Sequence, residues 1–158
     1  MLSELQRTSP VTLGDLKLFF ESALAISESE VELLVDAFKH LLKSDYSAFI
    51  HLAAPRAEAN IVNLAKKIGV TPTKRRANRT TRINLDDALS SNQLVKLVGP
   101  DIIRWLKFLL SDERHGKNLR NAVSHGLISR DELGDENAFR LAHVLLYLGC
   151  LRFRESAE

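Results

Sequence analysis

The sequence predicts an all-α protein, a bundle of about five to seven helices, on three observations. Apolar residues recur at spacings of three and four along most of the chain. Gly and Pro are scarce, 7 and 4 in 158 residues, so few points are available for breaking helices. Runs that alternate apolar and polar β-branched residues, the mark of a half-buried strand, are few. A chain of 158 residues buries an adequate core without disulfides or metals, and it is read as a single domain over 1–158.

Thr12 precedes Leu13, Leu16, Phe19, Phe20 and Leu24, an amphipathic stripe opened by a threonine cap. Ser27 stands three residues before Glu30, the spacing of a capping box, and Val31, Leu34, Val35, Phe38, Leu41 and Leu42 carry a second helix to about Lys43. These two make an N-terminal helical hairpin over 12–44. From Tyr46 the positions Phe49, Ile50, Ala53, Ala57, Ile61, Leu64 and Ile68 hold one face, ending at Lys66, Lys67 and Gly69, residues that suit a helix C-terminus. Pro55 falls inside this pattern and predicts a kink near Leu52 or two abutting helices.

The stretch TPTKRRANRTTR has no apolar period and is read as a basic loop within 71–84. Asn84 with Asp86 and Asp87 resembles a cap followed by first-turn acids, and Ser91 to Val98 forms another short helix. Pro100 and Asp101 open a helix through Leu110. A short helix runs from Lys117 to about His125, where Gly126 stops it, and the last helix runs from about Glu136 to Leu151. Asp131 and Glu132 sit at a helix start, and Trp105, with Phe108 and Leu109, is read as core.

Composition removes several function classes. A formal net charge of +2 does not by itself mark a nucleic-acid binder. The longest nearly unbroken apolar run, Val144 to Leu151, is far short of the roughly 20 residues of a membrane-spanning helix. Glu4 and Arg7 interrupt any signal-peptide pattern, so the expected location is the cytoplasm. Cys150 is alone, which excludes an intramolecular disulfide and a zinc site with two thiolates from one chain. His40, His51, His115 and His143 fall in no HxxxH or HExxH spacing, and no GxxxxGK[ST] or GxGxxG loop occurs, so no metal site and no cofactor are expected. His51 and His143, on long helices, are read as packed or bonded to a neighbour.

The segment Leu119 to His125 carries the chemistry. At about 100° per residue, Leu119, Ala122 and Val123 share one arc, while Arg120, Ser124, Asn121 and His125 occupy about 140° of the remainder. A guanidinium matches phosphate oxygens with a permanently charged fork, and an imidazole exchanges protons near neutral pH. A carboxamide orients a neighbour or holds a sugar or base edge. Together they cover most of what metal-free attack by a ribose hydroxyl on a phosphodiester requires. The plain alternative is a solvated face ending in a histidine that favours the helix C-terminal dipole.

The string NLRNAVSHGL, Asn118 to Leu127, resembles the RNxxxH signature of the HEPN superfamily, and within it a bacterial branch with an NLRNxxxHG core. The likeness extends from about Asp45 to Leu151, so the part of the bundle over 45–153 is expected to be HEPN-like. The resemblance implies a two-fold dimer in which the motifs face each other and, in members active as ribonucleases, metal-independent cleavage leaving a cyclic phosphate. Arg120 would then hold the scissile phosphate, His125 would be general acid or base, and Asn121 would orient the substrate or His125. Asn118 and Ser124 would support them, and Glu58 resembles an acidic position that many members place near the site. Ala59, Asn60, Ile61 and Val62 follow Glu58 where the branch often has a basic residue.

Lys74, Arg75, Arg76, Arg79 and Arg82 offer charge-based, sequence-blind contact to a nucleic-acid backbone, against the alternative of a solvated loop. The expected function is an endoribonuclease on single-stranded RNA, of toxin, antiviral-defence or RNA-processing type. Its partners would be RNA and a second copy, with an antitoxin or a larger parent protein as further candidates. A catalytically silent HEPN module that binds RNA or a nucleotide, and a purely structural dimerisation domain, are the alternatives.

Overall fold

The long helix that begins at Tyr46 organises the molecule. The computed structural model describes residues 11–76 and 79–152, the side chains of 74–80 excepted. Among the described residues eight α-helices follow one another. They are α1 (Leu13–Glu21), α2 (Glu28–Leu42), α3 (Tyr46–Lys67), α4 (Leu85–Leu89), α5 (Asn92–Val98), α6 (Pro100–Leu110), α7 (Leu119–Ser124) and α8 (Asp135–Cys150). A 3-10 turn, Arg130–Leu133, precedes α8. The all-α class is as predicted, and the count is one above the expected range of about five to seven. None of the described helices is long and apolar enough to cross a membrane.

Helix α1 begins as the sequence predicts. Thr12 Oγ1 accepts from the Asp15 amide at 3.1 Å and Asp15 Oδ2 accepts from the Thr12 amide at 2.9 Å. Hydrogen bonds from the Thr12 hydroxyl and amide hold the Asp15 carboxyl below its ordinary range. At α2 the predicted capping box does not form. Ser27 Oγ meets Ser29 Oγ at 3.2 Å, and Glu30 instead accepts from Arg56 Nη1 of α3 at 3.0 Å. A charge-assisted bond between helices outcompetes a bond to one backbone amide.

Helix α3 is continuous through Pro55, not two abutting helices. Proline takes the donor away from the His51 carbonyl, but His51 is exposed, so this carbonyl is not sealed away from solvent. On the opposite side Ala53, Ala54, Ala57, Ile61 and Leu64 are buried, and this small-residue stripe admits close neighbours. Helices α2, α4, α7 and α8 and the 3-10 turn all pack on α3. Phe20 of α1, Phe38 of α2 and Phe49 of α3 form an aromatic chain with centroids 5.5 and 5.6 Å apart, so the N-terminal hairpin shares one core with the rest. Gly149 of α8 is required by close approach, since a Cβ there would lie 2.3 Å from Phe19 Cε1.

The basic stretch is not wholly a loop: Thr73–Arg76 and Arg79–Arg82 pair as antiparallel strands β1 and β2, in register Thr73↔Arg82 to Arg76↔Arg79. Backbone pairing across a short connection needs no apolar period, which is why a search for periodicity passes over it. Trp105 is half-buried and packs at the margin of the core rather than within it; its ring lies against that of His143 at 5.1 Å, Leu109 is buried and Phe108 is 43% exposed.

Candidate functional site

The approach to α7 is shaped by backbone demands. Asp112 Oδ1 accepts from the amides of Arg114 and His115 at 2.9 and 3.0 Å, and these bonds, His115 first, hold the Asp112 carboxyl below its usual value. The chain then turns so tightly that a Cβ on Gly116 would lie 2.2 Å from the Phe108 carbonyl oxygen. The next amide, Lys117, donates to that same oxygen at 2.8 Å. Asn118 enters α7 with φ 47°, in the left-handed region that asparagine tolerates better than most residues.

Leu119 anchors α7 in the core, fully buried. The helix ends on Gly126 at φ 66°, with the Gly126 amide donating to Val123 and the Leu127 amide to Ala122 at 3.2 and 2.8 Å. This is a Schellman ending, which requires a left-handed residue just past the helix. Asn118 and Gly126, two residues that give the motif its specificity, therefore each have a backbone reason to be where they are.

Between these ends the polar residues divide into two groups. Arg120 Nε donates to Glu58 Oε2 of α3, and Arg120 Nη1 donates to Asn121 Oδ1 at 2.7 Å. Glu58 lies at the margin of the buried stripe of α3, one turn beyond Ala54, and this brings its carboxylate under α7. The side chains of Arg120 and Glu58 are 28% and 19% exposed, so the pair is partly desolvated and still reachable. Of the five N–H donors of a guanidinium, two are used here and three have no partner among the described residues.

Arg120, Asn121 and Glu58 line a polar cavity of about 140 Å3 together with Asn84, Leu85, Asp86 and Ser111. The last four were not expected in a site. Asn84 and Asp86 read as helix-cap residues in the sequence, and no local signal distinguishes Ser111 from any other residue after a helix. Ser124 and His125 do not join the cavity. Both are exposed at the far end of α7, where His125 is the C-cap residue, and the His125 ring has no hydrogen-bond partner among the described residues. The amide oxygen of Asn118 is buried and without a partner among the described residues, and Asn118 is not among the residues lining the cavity.

The exposed Arg82 ends β2 two residues before Asn84, so the root of the basic hairpin adjoins the cavity wall. The side chains of Lys74, Arg75, Arg76 and Arg79 lie outside the described residues. Among the described residues no three of His, Cys, Asp and Glu cluster so as to hold a metal ion.

No family model, curated protein or solved structure matches this chain. The HEPN likeness therefore rests on the Asn118 to Leu127 string and the sequence around it.

Proposed function

We propose that the protein is a metal-independent endoribonuclease of HEPN type, acting on single-stranded RNA in the cytoplasm as a two-fold dimer. The observation that carries this reading is the state of Arg120: its guanidinium is braced on two sides by Glu58 and Asn121 and has three donors unpaired among the described residues, beside a polar cavity. Such a fork needs no reorganisation when negative charge develops on a phosphate in the transition state. His125 supplies the proton-exchanging group from an exposed position. It stands five positions after Arg120, about 7.5 Å along the helix axis and about 140° around it. One chain thus presents the two groups apart, and a second copy would bring an imidazole opposite each guanidinium.

The test is incubation of the purified protein with varied single-stranded RNAs in EDTA, with product ends identified by mass spectrometry. The expected result is cleavage leaving a cyclic phosphate, abolished in Arg120→Ala and His125→Ala, with a dimer in gel filtration for all three proteins. Intact RNA, or equal cleavage by the variants, would overturn the reading.

A second reading is favoured by the Glu58 carboxylate, which neutralises Arg120 at rest: a catalytically silent module that binds RNA or a nucleotide and dimerises. It predicts salt-sensitive binding without product, weakened by charge reversal at Arg82. Toxin, antiviral-defence and RNA-processing settings, and an antitoxin or a larger parent protein as partner, belong to the same proposal.

A further inference from the structure

The cavity beside Arg120 is poorly suited to the phosphate itself. Its lining residues include two acidic ones, the half-buried Glu58 and the exposed Asp86, against one arginine, a balance that disfavours an anion. It offers acceptors for a neutral group rich in N–H donors. At about 140 Å3 it holds the equivalent of four or five waters. That is well under the roughly 300–1,000 Å3 of a site for a drug-sized ligand. A single ring system fits this scale and a whole nucleotide does not.

The two carboxylates differ in what they have left to give. Glu58 Oε2 is committed to Arg120. Asp86 is free because the α4 cap uses its neighbour: Asn84 Oδ1 accepts from the Asp87 amide at 2.9 Å and Asp87 Oδ2 accepts from the Asn84 amide at 3.1 Å. The Asp86 carboxylate has no partner among the described residues. Three residues that share the cavity lining carry donors without a partner among the described residues: the Nδ2 group of Asn84, the Nδ2 group of Asn121, whose oxygen already serves Arg120, and the Ser111 hydroxyl.

We propose that this cavity is a guanine subsite, with Asp86 as the residue that selects the base. The Watson–Crick edge of guanine presents two adjacent N–H donors, N1–H and N2–H, which match the two oxygens of a carboxylate in a charge-assisted pair. Its O6 then accepts from Asn121 or Asn84. Adenine and cytosine set a lone pair beside their amino group, and uracil flanks its single N–H with carbonyls, so each would face the carboxylate with a repulsive contact. Unstacked bases in single-stranded RNA offer this edge for recognition. The inference deepens the ribonuclease reading by naming the base held next to the phosphate at Arg120, and it rests on that reading only for the consequence that cleavage occurs beside guanosine.

The experiment is calorimetric titration of the full chain with the 5′-monophosphates of guanosine, adenosine, cytidine and uridine. It is repeated for Asp86→Asn and Asp86→Ala, with RNA cleavage products sequenced in parallel. Guanosine monophosphate is expected to bind about tenfold or more tighter than the other three, and both variants to lose that preference while keeping the circular dichroism of the parent. Equal binding of all four, no binding, or a guanine preference that survives Asp86→Asn overturns the inference. Cleavage without Asp86-dependent guanosine preference sinks the guanine subsite and leaves the nuclease standing. Asp86-dependent guanine binding in a chain that cuts no RNA supports the subsite and ends the nuclease reading.

Discussion

The two ends of α7 differ although one short sequence string supplies both. At the Arg120 end the side chain is held by a carboxylate from α3 and by its own neighbour, and it lines a cavity. At the His125 end the ring is exposed and has no partner among the described residues. The first end is organised before any ligand arrives. The second waits for something outside the chain, which in the proposed dimer is a second copy with its bound RNA. A motif read as one unit therefore sits in two different environments, one braced by this fold and one exposed.

The contrast makes its largest prediction in paired variants. Arg120→Ala and His125→Ala should each lower RNA cleavage by about 10²-fold or more, the scale of a lost acid–base or charge-stabilising group. Only Arg120→Ala should also lower Tm. It leaves the Glu58 carboxylate half-buried without its partner, worth about 1–3 kcal/mol, or several degrees at roughly 2–4 °C per kcal/mol. His125→Ala should melt within about 1 °C of the parent, as a surface change does. Equal melting shifts for the two variants would erase the distinction between the ends.

Two glycine substitutions sharpen it further. Gly116→Ala forces a methyl group against the Phe108 carbonyl and should cost about 1–3 kcal/mol in thermal unfolding. It should weaken the Arg120 end, since the turn at Gly116 sets where α7 begins. Gly126→Ala has open space around the new methyl but a strained φ, and should cost about 1 kcal/mol, felt at the His125 end.

The smallest effect is on acidification. The Asp112 carboxyl is held below its ordinary value of about 3.9. Because the folded value is depressed, the stabilisation is fully present above the unfolded value and is lost as pH falls through the folded one. An NMR titration of that carboxyl should show a midpoint below about 3.9, with the Arg114 and His115 amides shifting in step. A midpoint at or above that value would remove the brace assigned to this turn.

Residue by residue, the helices were legible wherever a local cause produced them. The Thr12 and Asn84 caps, the stripe from Phe49 to Leu64 and the stop at Gly126 each follow from side chains within a turn of one another. What misled were residues with two available partners. Glu30 reads as the closing residue of a capping box and goes instead to Arg56, 26 positions away. Asp86 and Asp87 read alike as first-turn acids, yet Asp87 closes the cap while Asp86 is among the residues lining a cavity. Trp105 reads as core from its size and stands half-buried beside His143, because burial depends on what the opposite helix offers.

By itself, the order of residues determined the all-α class, nearly every helix boundary and the polar arc that places Arg120, Asn121, Ser124 and His125 on one short turn. Periodicity and capping act over three or four residues, a range any reader of the chain can survey. Only the tertiary structure decided that Glu58 meets Arg120 across 62 positions, that Asn84, Asp86 and Ser111 complete a cavity with them, and that His125 stays outside it. Those outcomes depend on which helices pack together and how deeply, and that is set by burying the whole apolar surface at once rather than by any neighbouring pair of residues.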